Sequence, residues 1–144
     1  MKIRLCLVLF ALFFFAAIIV SPAYLCPGEE AEIYLSRPVE GAIDAGSFFI
    51  VRADTDEIYA FLRRGDILGM SIISSGNNLS AEGLMKRLGV TRSRRGDVDG
   101  KLCYYAYSPL LGGGVKVDGE QVNMQIVQGE NCLTAGFPLI MGSY

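Results

Sequence analysis

The stretch Gln121-Val122-Asn123-Met124-Gln125-Ile126-Val127 decides the fold reading. Val122, Met124 and Ile126 fall on one side of an extended chain, and Gln121, Asn123 and Gln125 on the other. That period of two predicts a strand of an antiparallel sheet with one covered face and one wetter face. Working outward, residues 101–107, 115–117 and 131–135 keep the same alternation. Asp118-Gly119 and Gln128-Gly129 lie between the strand-like runs, and Asp-Gly is a strong hairpin signal.

Upstream the period changes. Residues 47–52, rich in Phe, Ile and Val, and residues 67–73 predict two further strands. Between them, Asp54 followed by Glu57 has the form of a capping box, and Ile58, Tyr59, Phe61 and Leu62 make an apolar helical stripe that Gly65 ends. A second helix follows from Ser80 as N-cap, with Leu84, Met85 and Leu88 as its buried face and Gly89 as a left-handed stop. Residues 90–100 are polar and predict turns. The expected architecture is α+β: a curved antiparallel sheet of about five strands with two short helices on one face, after an N-terminal segment.

The chain has 144 residues and net charge -2. Lys2 and Arg4 precede an apolar run from Leu5 to Val20, and Ser21-Pro22-Ala23 supply a small-residue exit before Tyr24. This is the pattern of a secretory signal peptide. An uncleaved anchor is the alternative: as a helix, residues 5–25 reach ~32 Å against a hydrocarbon core of ~30 Å. Either reading puts the domain outside the cytoplasm, released or held on the outer face of the membrane. Cleavage after Ala23 leaves eleven basic and fifteen acidic side chains, a net charge of -4. Residues 24–45, with Pro27, Gly28, Pro38, Gly41 and Glu29, Glu30, Glu32 and Glu40, are expected to form a flexible stem holding at most one short strand near 33–35. The folded unit is then a single domain over 46–144.

Composition excludes several chemistries. There is no histidine, so no Ser-His-Asp triad, Cys-His dyad or His-bearing zinc site exists, and the usual general base near neutral pH is missing. No serine stands three residues before Lys86, Lys101 or Lys116, which removes the Ser-x-x-Lys arrangement. Asp97-x-Asp99-Gly100 would place Ser108 where a calcium loop needs a glutamate. Gly112-Gly113-Gly114 lacks the Lys-Ser/Thr ending of a phosphate loop and reads as a loop tip. No catalytic residue, metal site or cofactor is expected.

Three sets of residues invite a role. After the leader, Cys26, Cys103 and Cys132 remain, and three thiols cannot all pair within one chain. Cys103 and Cys132, each in a strand-like run, either face each other as a disulfide or stay free as buried thiols. Lys86, Arg87, Arg92, Arg94 and Arg95 put five cations within ten residues. They read either as a patch for phosphate, polymer or lipid headgroups, or as helix-dipole partners and loop decoration. Arg63-Arg64-Gly65-Asp66 and Arg94-Arg95-Gly96-Asp97 echo each other as turns entering strands. Tyr104, Tyr105 and Tyr107 give one strand aromatics on both faces, so any exposed one is a contact candidate.

The C-terminal third resembles the YwmB family of exported proteins from spore-forming Gram-positive bacteria. The resemblance rests on residues 122–127, on Leu133-Thr134-Ala135-Gly136-Phe137-Pro138-Leu139-Ile140 and on Gly142-Ser143-Tyr144, with Phe137 where that family has a small hydroxyl residue. It implies a fold like the TATA-box-binding protein and a link to sporulation, and it brings no catalytic residues. Nucleic acid is not an expected partner, because fold does not carry function and the leader removes the chain from the chromosome. The expectation is a non-catalytic cell-envelope domain that binds an unidentified protein or envelope partner, with the membrane engaged through the N-terminal segment if it stays uncleaved. The alternative is an anionic-ligand module built on the 86–95 cluster.

Overall fold

The computed structural model describes residues 30–54, 57–61, 64–75 and 79–142; the leader and Cys26 lie outside them. The strands are β1 (Glu30–Leu35), β2 (Ile43–Asp44), β3 (Phe49–Ala53), β4 (Ile67–Ser75), β5 (Arg92–Val98), β6 (Lys101–Tyr107), β7 (Val115–Val117), β8 (Glu120–Val122), β9 (Met124–Gln128) and β10 (Cys132–Phe137). Helix α1 (Ile58–Phe61) is a single turn, and α2 (Ala81–Arg87) has two. Eight strands form one sheet in the order β2-β3-β1-β4-β10-β9-β6-β5, and β7 pairs with β8 as a separate ribbon. Every neighbouring pair is antiparallel. The class is α+β, but the expected five or so strands are too few, and of the two expected helices only α2 is more than a single turn.

Two of the added strands correct the sequence reading. The stem expected over 24–45, with at most one short strand near 33–35, contains both the edge strand β2 and the six-residue β1, which sits inside the sheet between β3 and β4. Ile33 and Leu35 are fully buried there, so the domain begins no later than Glu30. The polar stretch 90–100 is not all turn: it carries β5, the edge strand beyond β6. Arg94-Arg95-Gly96-Asp97 therefore lies inside a strand, whereas Arg64-Gly65-Asp66 precedes β4.

Strand alternation divides the side chains between two faces. Ile33, Ile72, Ala135, Ile126 and Tyr104 face the side that also receives Ile58 of α1 and Leu84 and Leu88 around α2, forming the main core. The α2 boundaries follow local chemistry. Ser80 Oγ accepts from the Gly83 N–H at 3.0 Å, filling one orphan donor of the first turn. At the other end Gly89 takes φ +62, with its N–H on the Lys86 carbonyl and the Val90 N–H on the Met85 carbonyl. That paired pattern satisfies the last carbonyls, and Met85 and Val90 both pack on the core.

The opposite face was expected to be wet, and over its centre it is not. Asn123 and Gln125 are 3% and 5% exposed. Asn123 interrupts the run between β8 and β9, and its amide substitutes for a strand partner. Oδ1 accepts from the Ser108 N–H at 2.8 Å, while Nδ2 donates to the Ser108 carbonyl at 2.7 Å. Gln125 is covered by the chain after β10, which doubles back across Gly136. Along this strap the Ile140 N–H donates to Gln125 Oε1 at 2.9 Å, and the Gly142 N–H to the Tyr34 hydroxyl at 3.2 Å. Tyr34 in turn donates to Ser71 Oγ at 2.8 Å. Burial raises the Tyr34 pKa against the lowering effect of its hydrogen bonds. Ile140 completes a second small core with Cys103 and Val127.

Candidate contact surface on the β5–β6 hairpin

The hairpin is set by its turn. Asp99 and Gly100 both take positive φ, 52° and 76°, the geometry that a two-residue connection needs to match strand twist. Asp97 Oδ1 accepts from the Gly100 N–H at 3.0 Å and fixes that turn. The register then places Arg92 opposite Tyr107, Arg94 opposite Tyr105 and Arg95 opposite Tyr104. Each guanidinium lies over the ring across from it, at 4.9, 5.4 and 5.5 Å from the centroids respectively. Such contacts hold the arginine stems flat on the sheet.

Alternation separates the cations that the sequence groups together. Arg95 lies on the helix-bearing face, where its guanidinium is 3.9 Å from Glu82, with both side chains well exposed. Glu82 Oε1 also accepts from the Tyr104 hydroxyl at 2.8 Å. Its pKa is lowered by its own backbone N–H first, then by Tyr104 and by the Arg95 charge. Arg92 and Arg94 lie on the other face. Arg94 is held by Asp118 at 2.8 Å, the residue at the head of the β7–β8 turn. Lys86 and Arg87 stand in the last turn of α2, where they complement the helix dipole. The five cations thus do not form a single patch.

A groove of about 500 Å³ opens between this hairpin and β8, lined by Arg92, Arg94, Tyr105, Tyr107, Glu120 and Gln121. It offers guanidinium donors, half-exposed aromatic surface and one carboxylate. No nucleophile with an adjacent base borders it. Among the described residues no three Cys, Asp or Glu side chains are grouped as a metal ion would require. No described helix is long and apolar enough to cross a membrane.

The cysteines are arranged against the disulfide reading. Cys103 and Cys132 are both free thiols. Cys103 pairs with Val127 of β9, and β9 separates β6 from β10, which carries Cys132. Two strand spacings amount to ~10 Å, beyond the ~7 Å Cα limit for a bridge. Cys103 is fully buried and Cys132 half-buried. Alkylation of the folded, unreduced protein is therefore expected to modify Cys132 and leave Cys103 untouched. Denaturation without reductant should then expose Cys103 to the reagent. A peptide map showing both blocked until reduction would restore the disulfide.

Sequence reasoning found the arginines and the tyrosines but not the strand that pairs them. The available signal was Asp99-Gly100, the same dipeptide that marks the β7–β8 turn. Compared with known proteins, the chain matches no family model, no curated protein and no solved structure.

Proposed function

We propose that this chain is an exported, non-catalytic domain of the cell envelope that works by binding a partner protein, and that the β5–β6 margin is its contact surface. The carrying observation is the ladder of Arg92, Arg94 and Arg95 over Tyr107, Tyr105 and Tyr104 along a sheet edge. Arginine and tyrosine are enriched at protein interfaces, because each offers large area and directed donors. The leader pattern supports export, and the resemblance to the YwmB family supports a role in sporulation. The alternative anionic-ligand module draws less support, since strand parity and the end of α2 scatter the five cations and leave no single site for one compact anion.

The test is photo-crosslinking in the native host. A photoreactive residue replacing Tyr107 is expected to give a discrete protein adduct. The same residue at Ile43, exposed on the opposite edge, serves as the control and should give none. Equal or absent adducts at the two positions would overturn the reading.

A further inference from the structure

The β5 backbone carries a consequence that the side chains alone do not. In a two-residue hairpin the residues flanking the turn form a hydrogen-bonded pair, and bonded and non-bonded pairs then alternate along the strands. Val98 and Lys101 flank the turn, so Gly96 and Arg94 also direct their N–H and C=O groups inward to β6. Ser93, Arg95 and Asp97 direct theirs outward. β5 ends the sheet, and none of these three outward residues has a backbone partner among the described residues. The strand spans seven residues, most of them exposed, whereas β2 on the far edge spans two.

We infer that β5 receives an acidic, extended segment of the partner protein as a ninth, antiparallel strand. This rests on the reading of the β5–β6 margin as the contact surface and specifies its occupant. Charge chooses among the occupants of such an edge. A second copy of this chain pairing antiparallel in the one register that engages all three outward residues is centred on Arg95 and sets Arg95 against Arg95, and like charges directly opposite are destabilising. A guest carrying carboxylates opposite Arg95, Arg94 and Arg92 meets three guanidiniums already laid against their tyrosines. It exchanges with the solvent-exposed Glu82 and Asp118 contacts of the first two, which are weak pairs. Counting along an antiparallel guest from its N-terminal end, those positions spell acidic-acidic-x-acidic. The guest's main-chain groups bond to Ser93, Arg95 and Asp97, which supplies affinity, while the arginines supply selection.

The probe is a capped peptide, Thr-Val-Glu-Glu-Val-Glu-Thr, titrated into the domain by isothermal calorimetry and followed by amide hydrogen exchange. Its first glutamate and second valine fall opposite Arg95 and Ser93, so N-methylation at those two residues removes two of the guest's N–H bonds to β5 without altering charge. The expected result is saturable binding in which exchange slows about tenfold or more at Ser93, Arg95 and Asp97 and is unchanged at Arg94 and Gly96. The N-methylated peptide should bind at least about tenfold more weakly. Ser93→Pro, which deletes an outward N–H that the native ladder does not use, should weaken the unmethylated peptide similarly.

The methylation arm needs no variant, so it stands even if Ser93→Pro fails to fold. Equal binding of both peptides, equal binding of an all-lysine counterpart, or protection absent from the outward amides would overturn strand addition. So would failure to bind. If any of these occurs while the Tyr107 crosslink persists, the contact surface stands and only its mode falls. Loss of the crosslink instead removes the reading on which the inference rests.

Discussion

A chain beginning at Gly46 is expected to remain unfolded, while one beginning at Tyr24 folds cooperatively. The shorter chain lacks β1, whose two flanks pair with β3 along Ala31–Leu35 and with β4 along Glu30–Leu35. Its removal does not trim an edge. It opens the middle of the sheet and leaves β3 paired only with the two residues of β2. It also empties the core of Ile33 and Leu35 and the second face of Tyr34, all at 0% exposure. Truncating one such aliphatic side chain to alanine costs about 2–5 kcal/mol. Three such losses, together with the backbone pairing on both flanks, are of the same size as the roughly 5–15 kcal/mol that holds a domain together. Circular dichroism through a urea titration reads the outcome. A sigmoidal transition for the chain starting at Gly46 would show that β1 is dispensable.

That strand also explains where the sequence was hard to read. Three glutamates at 29, 30 and 32 make the segment look solvated. Glu32 is nonetheless 3% exposed, because its cross-strand neighbour is Arg52, whose Nε lies 3.2 Å from Oε1. A partner twenty residues away is invisible to any local pattern. Neither β5 nor the covering of Gln125 is legible for related reasons. An edge strand bonded on one side and exposed on the other has no apolar period to display, so Arg92–Val98 reads as a loop. Gln125 alternates as a surface residue should, and only the strap that reaches back from β10 buries it.

What could be read was local and self-consistent. Ser80 and Gly89 bracket α2, and Asp118-Gly119 closes the β7–β8 ribbon with φ of 51° and 85°. Those features depend on neighbours within four residues. The arginine cluster was visible as composition, but its meaning depends on strand parity, which sends Arg95 to one face and Arg92 and Arg94 to the other. Once β5 is known to be a strand, that division follows from alternation alone. The arginine–tyrosine ladder was therefore hidden by a single missed element, not by any unusual residue.

The second large effect is expected from Gly136→Ala, a change of one methyl group next to the C-terminal end of β10. A Cβ on Gly136 would collide with the Ile140 backbone nitrogen and stand 2.5 Å from the Leu139 carbonyl carbon. Both obstacles are main chain, so no rotamer change relieves them. The strap must lift or β10 must leave its register with β4 and β9, and the strap is held by far less. Lifting it strips the Ile140 N–H from Gln125, frees the Gly142 N–H from Tyr34, and uncovers Cys103 and Val127. Overpacking costs about 1–3 kcal/mol, and each hydrogen bond lost from a buried group about 1 kcal/mol more, so the total is expected near 3 kcal/mol or above. Gly65→Ala is the matched control, because nothing lies within 4 Å of its Cβ; it should stay within about 0.5 kcal/mol of the native protein. The decisive readout is the Cys103 thiol, which should become reactive in folded Gly136→Ala while remaining protected in Gly65→Ala. If Gly136→Ala melts with the native protein and keeps Cys103 protected, the strap does not press on Gly136. If it loses stability but keeps Cys103 protected, the sheet has yielded and the strap is the stiffer of the two.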